Sequence, residues 1–134
     1  MEANAARYVN PPTLSKPTGY THIVEVTGGK TVYISGQVAL DVVGNLVGEG
    51  DMRVQAYQVF ENLRTALHAV GATFDHVVKI TYFVVDISQM PAVRAVRNEY
   101  FNPDRPPAST AVEVRRLVRD DLLLEVEAIA VLPG

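Results

Sequence analysis

The spacing of hydrophobic and polar positions changes several times along the chain, and each change marks an element. His22 to Val26 and Thr31 to Ser35 are short runs rich in β-branched residues. The Gly28-Gly29 pair between them supplies the positive φ of a tight turn, so the pattern predicts a β-hairpin. In the second run Val32 and Ile34 fall on one face and Tyr33 and Ser35 on the other, as in a half-buried strand. From Asp51 to Val70 the period lengthens. Ala56, Phe60, Leu63, Leu67 and Val70 recur at steps of four, three, four and three, which is a helical stripe. Asp51 is positioned to cap its start and Gly71 to take the left-handed conformation past its end.

Val77 to Val85 is a near-continuous apolar run, the signature of a strand covered by helices on at least one face. Asp86 ends it. Ser88, at the position of a cap, precedes Met90-Pro91, and Val93, Val96 and Tyr100 continue at helical spacing. A second helix of about three turns is predicted, and the proline-rich run Asn102 to Pro107 stops it. Two last strands follow, Ser109 to Arg115 and Leu122 to Leu132, the latter with Leu124, Val126, Ala128 and Ala130 opposite Glu125 and Glu127. Residues 1–19, with Pro11, Pro12, Pro17 and Gly19, read as an extended arm. The order β-β-α-β-α-β-β predicts one α+β domain over residues 1–134, with two helices on one face of a mixed sheet. Its other face would carry Phe83, Val85, Ile129 and Val131, and oligomerisation is the natural way to cover them.

At 134 residues, 48% of them hydrophobic, the chain is the size of one domain with a substantial core. A net charge of −3 with only Lys16, Lys30 and Lys79 as lysines disfavours nucleic acid as a partner. With no cysteine there is no disulfide, thiolate metal site or Cys nucleophile, which suits a reducing compartment. No run approaches the about 18 apolar residues of a membrane span, and residues 1–12 have no apolar signal core. A cytoplasmic protein is expected.

His22, His68 and His76 have no metal-ligand spacing, so no metal site is expected. Phosphate-loop, dinucleotide-binding and nucleophile-elbow motifs are absent as well. Arg115, Arg116 and Arg119 beside Asp120 and Asp121 read as a solvated turn. Glu125 and Glu127, embedded in an apolar strand, are placed to face a pocket or interface, and a carboxylate there can serve as general base.

Five stretches together resemble the Rid superfamily of reactive intermediate deaminases, also called the YjgF or UK114 type. They are Gly19 to His22, Ile34 to Gln37 followed by Leu40-Asp41, Glu61 to Leu63, Val78 to Asp86, and Pro107-Ala108 through Glu125 to Ala130. The resemblance implies a chorismate-mutase-like fold and a homotrimer whose sheets line a central barrel, with a small-molecule pocket in each subunit cleft. It also implies hydrolysis of 2-imino or enamino acids to keto acids and ammonia without metal or organic cofactor. Carried over by position, Glu125 is the catalytic, water-positioning residue. Tyr20 and Ser35 line the substrate pocket, with Ser109, Thr110 and the backbone beside Ala111. In the family's Pro-Ala-Arg-Ser motif the arginine grips the substrate carboxylate, but this chain reads Pro107-Ala108-Ser109-Thr110. A serine cannot supply a charged fork. Either Arg94, Arg97 or Arg105 replaces it from elsewhere, or Ser109 and Thr110 bind a neutral group. The neutral group is the expectation, because it needs no coincidence of geometry. The chain is then a member of an arginine-lacking branch, acting on an imine, enamine or related intermediate. A non-catalytic metabolite-binding or regulatory module is the alternative, and an endoribonuclease a weaker third.

Overall fold

The computed structural model describes residues 6–134, so the first five residues of the predicted arm lie outside it. Its main sheet has four strands in the order β3-β6-β4-β5. They are β3 (Lys30–Gln37), β4 (Val77–Val84), β5 (Ala108–Glu113) and β6 (Leu124–Leu132). β4 and β5 run parallel, while β6 is antiparallel to both β3 and β4. Helices α1 (Met52–Ala69) and α2 (Met90–Arg97) supply the apolar cover of one face. This is the α+β arrangement of a mixed sheet and two helices that the pattern predicted.

α1 forms where expected. Asp51 accepts a hydrogen bond from the Val54 N–H at 3.1 Å, and Gly71 takes φ of 77° beyond the helix end. Its stripe buries Ala56, Phe60, Leu63 and Leu67, whereas Val70 lies past the last turn and is exposed. Ile80, Tyr82 and Val84 of β4 and Val126, Ala128 and Ala130 of β6 point at the helices and are buried. Phe60 packs between Phe74, Tyr82, Tyr100 and Phe101, with ring centroids 5.1 to 6.5 Å away. Gln55, fully buried, donates to the Gly48 and Asp121 carbonyls and accepts from the Leu123 N–H. It ties the start of α1 to the segments entering α1 and β6.

Three expectations are corrected. The hairpin does not form: β2 (Ile23–Val26) pairs with β1 (Ala6–Val9), a strand within the predicted arm, and β3 pairs with β6. The Gly28-Gly29 turn closes onto the end of β6, where a Cβ on Gly29 would stand 2.6 Å from the Leu132 carbonyl oxygen. β3 thereby finds a longer apolar partner than β2 could offer. Ser88 is not the cap of α2. Asp86 accepts from both its N–H and its hydroxyl to cap a short 3-10 turn, Ile87–Gln89, so α2 begins only at Met90 and has two turns. Val131, assigned to the uncovered face, is buried beside Ala6 and Tyr8 of β1. That face does carry Phe83 and Ile129, together with Tyr33, which is 78% exposed.

Candidate functional site

Alternation along β4 divides the predicted site residues between the two sides of the sheet. Ser109 stands opposite Ile80, on the helix side, whereas Glu125 stands opposite Phe83, on the uncovered side. One chain therefore does not bring Ser109 and Glu125 together.

On the uncovered side β3 bulges between Ile34 and Gln37 against β6. The Glu125 side chain lies directly on Gly36 there, so that a Cβ at Gly36 would be 2.0 Å from its Oε2. Gly36 has an ordinary φ, so it is the carboxylate, not the backbone, that requires glycine. Beside it Ser35, Lys79, Thr81 and Glu127 line a hollow of about 260 Å³. Thr110 belongs to this side as well, its hydroxyl accepting from Lys79 Nζ at 2.7 Å.

On the helix side Ser109 opens into a pocket of about 190 Å³ between the end of α2, the 101–107 segment, the middle of β4 and the start of β5. Thr21 fixes the arm across its rim, its N–H donating to the Pro107 carbonyl and its hydroxyl to that of Pro106. This holds Gly19 in the pocket wall and Tyr20 next to it, the Tyr20 ring edge-on to His22 at 5.2 Å. Ala111 is exposed on β5, which forms the sheet edge.

Of the three arginines considered as substitutes, Arg97 alone lines the Ser109 pocket. Arg105 turns to the Tyr8 ring, 6.0 Å from its centroid, and Arg94 is exposed. Arg97 donates through Nε and Nη2 to the side-chain oxygen of Asn98 at 3.3 and 3.0 Å. The residue missed in the sequence is Tyr82. Inside an apolar run it reads as another core side chain, and its ring is indeed core, yet its hydroxyl is buried at the pocket beside Arg97 with no acceptor for its O–H. Burial pushes that phenol well above its ordinary range, and the Arg97 charge offsets part of the rise. The pocket thus joins a guanidinium and two hydroxyls to the apolar surfaces of Ile80, Phe101 and Pro107.

Remaining polar clusters are structural. Arg116 pairs with Asp120 and Arg119 with Asp121, each at 2.8 Å, as the solvated turn predicted. His22 and His76 are engaged by Ser15 and Thr73. Among the described residues no three His, Cys, Asp or Glu gather as a metal site, and no helix is long and apolar enough to cross a membrane.

Residues 13–132 match the family model described as Endoribonuclease L-PSP. The chain belongs to that family, the Rid/YjgF/YER057c/UK114 family. This Rid-family protein is 35% identical over 127 residues to the 2-iminobutanoate/2-iminopropanoate deaminase of Dermatophagoides farinae, covering 94% of this chain and 96% of that one. It is similar in structure to a Rid-family protein of unknown function, YyfB from Yersinia pestis, with a TM-score of 0.87 at 35% identity over 96% of this chain and 99% of the other. Escherichia coli TdcF, with bound serine, matches with a TM-score of 0.69 at 30% identity over 79% and 84% of the two chains.

Proposed function

We propose that the chain is one Rid domain that assembles as a homotrimer, takes a small metabolite into clefts between subunits, and hydrolyses an imine or enamine C–N bond there without metal or organic cofactor. The observation that carries this reading is the Glu125 carboxylate, seated on Gly36 with no cation within salt-bridge distance among the described residues. An uncommitted carboxylate on a rigid strand can orient a water and accept its proton as the oxygen attacks the imine carbon. The proton then passes to nitrogen, the C–N bond breaks, and ammonia and a carbonyl compound leave. The separation of Glu125 from Ser109 and Tyr20 within one chain supports a cleft between copies, in which one subunit supplies Glu125, Ser35 and Thr110 and its neighbour Tyr20, Ser109 and the Ala111 backbone. The uncovered sheet face, with Tyr33, Phe83 and Ile129, is the surface for that assembly.

The named relatives support an amino-acid-sized ligand: one bears a 2-imino acid deaminase name and one holds serine. Ser109 in the position of the carboxylate-gripping arginine argues that this chain holds its substrate differently, as in an arginine-lacking branch. It also favours a second reading, a metabolite-binding module without turnover. The test is ammonia and keto-acid release from freshly generated 2-iminopropanoate and 2-iminobutanoate by the wild type, Glu125→Ala and Ser109→Arg. Turnover by the wild type that disappears in Glu125→Ala is the expected result. Full turnover by Glu125→Ala overturns the assignment of Glu125, and no turnover by either wild type or Ser109→Arg favours the binding module.

A further inference from the structure

We infer that Arg97, Tyr82 and Ser109 form a carboxylate-binding subsite, in which a cation from α2 takes the place of one on β5. The inference rests on the small-metabolite reading above but not on catalysis. Four observations carry it. First, no Asp or Glu lies within 4.0 Å of Arg97 among the described residues, so its charge is uncompensated in the pocket it lines. Second, the Asn98 oxygen accepts from Nε and Nη2, which fixes the plane of the guanidinium and leaves Nη1 for a ligand. Third, the Tyr82 hydroxyl is buried in that same pocket wall beside the Arg97 guanidinium, which can only donate to it, so its O–H has no acceptor. A buried donor is rarely left so unless something else completes it.

Fourth, Gly19 makes room for the cation. With φ of 77° it holds its backbone against the guanidinium, and a Cβ there would stand 2.9 Å from Nη2. The arm therefore closes on Arg97 as a wall of the pocket. Three donors and no acidic group select an anion. A volume of about 190 Å³ bounded by Ile80, Phe101 and Pro107 suits a short organic acid with an apolar end. The subsite thus revises the expectation that Ser109 faces a neutral group: Ser109 contributes a neutral hydrogen bond, and the charge comes from Arg97.

The test uses binding, not turnover. The probes are 2-oxobutanoate, its neutral isostere 2-oxobutanamide and inorganic phosphate, titrated into wild type, Arg97→Gln and Tyr82→Phe and followed by calorimetry and by the backbone amide resonances of Asn98 and Ser109. Wild type is expected to bind the acid at least about tenfold more tightly than the amide, since a charge-assisted hydrogen bond is lost with the charge. Arg97→Gln is expected to abolish that preference, and Tyr82→Phe to weaken acid binding about threefold to tenfold. Equal affinity of the wild type for acid and amide overturns the inference, and this arm needs no variant to fold. So does an unaltered preference in Arg97→Gln, or tighter binding of inorganic phosphate than of the acid. Acid binding with no imine hydrolysis leaves the subsite standing and removes only the catalytic reading.

Discussion

Gly36→Ala tests whether the Glu125 carboxylate is built into the strand or merely adjacent to it. The added Cβ would meet Oε2 at 2.0 Å, Cδ at 2.8 Å and Cγ at 2.9 Å, all short of the 3.4 Å at which ordinary contact begins. Three atoms of one side chain are involved, so a small tilt does not suffice and Glu125 must change rotamer. Leaving its rotamer and repacking costs about 1 kcal/mol. Gly36 has no left-handed φ, so alanine suffers no backbone strain there and by itself stabilises by roughly 0.4–1 kcal/mol through the unfolded chain. The sign of the substitution is therefore set by residue 125. With Glu125 present, Gly36→Ala is expected to be destabilising or neutral; in a Glu125→Ala background it is expected to stabilise, and the coupling between the two sites equals the cost of moving Glu125, about 1 kcal/mol. Urea unfolding of the four proteins at one protein concentration gives the cycle directly. A coupling under about 0.3 kcal/mol, the limit of additivity for independent sites, would refute the argument that glycine is present to seat the carboxylate.

Gln55→Leu leaves the Gly48 and Asp121 carbonyls and the Leu123 N–H without their buried partner. A loss of roughly 3 kcal/mol or more is expected, read as a fall in Tm of about 10 °C, and a loss below about 1 kcal/mol would show that water reaches those groups. Alkaline pH should weaken the fold. Burial raises the Tyr82 and Tyr100 hydroxyls above their ordinary value of 10.0, with the hydrogen bond from Tyr100 to Glu61 adding to the second. Because the folded values exceed the unfolded ones, the contribution is whole below pH 10 and is lost as pH climbs through the folded range. A urea midpoint that stays flat as pH passes 10, while tyrosinate absorbance appears in the folded protein, would contradict this.

How far the sequence led depended on whether a feature was local. α1 was legible because Asp51, the apolar stripe and Gly71 act within one segment. The faces of β6 were legible because its alternation between Leu124 and Ala130 has a single period. Strand pairing was not, since β2 and β3 are both β-rich and only the length of β6 and the presence of Ala6–Val9 decide which partner each takes. The second helix was read too long because Asp86 and Ser88 are both good caps, and only the fold shows the Asp86 side chain occupied by Ser88. At the site, Glu125 stood out as an acid in an apolar strand. Arg97 could be named only among three candidates, because reach across α2, the 101–107 segment and the Gly19 arm is a tertiary property. Tyr82 carried no signal, for a buried ring looks the same in sequence whether or not its hydroxyl finds a partner.

The uncovered sheet face offers the sharpest test of assembly, through Tyr33→Glu. Tyr33 is on β3 at the sheet edge, opposite Ile129, and is 78% exposed in the single chain. If water covers this face, a glutamate there shifts stability by no more than about 0.5 kcal/mol and alters nothing else. If three copies meet on it, each buries a carboxylate in the hollow that Tyr33 shares with Ile129, Lys79 and Glu127, at a cost of several kcal/mol for each charge that Lys79 leaves unpaired. Sedimentation equilibrium is expected to give a trimer mass for the wild type and a monomer mass for the variant, with circular dichroism showing the same secondary structure in both. The two halves of the site should then part company. Every wall described for the Arg97 pocket comes from one chain, so the monomer keeps its preference for 2-oxobutanoate over the amide. On the proposed reading turnover needs both Glu125 and Ser109, which one chain holds on opposite sides of the sheet, so it is expected to be lost. A monomeric variant that retains turnover would mean that the chemistry does not need both groups, and a variant that stays trimeric would mean that Tyr33 lies outside the interface.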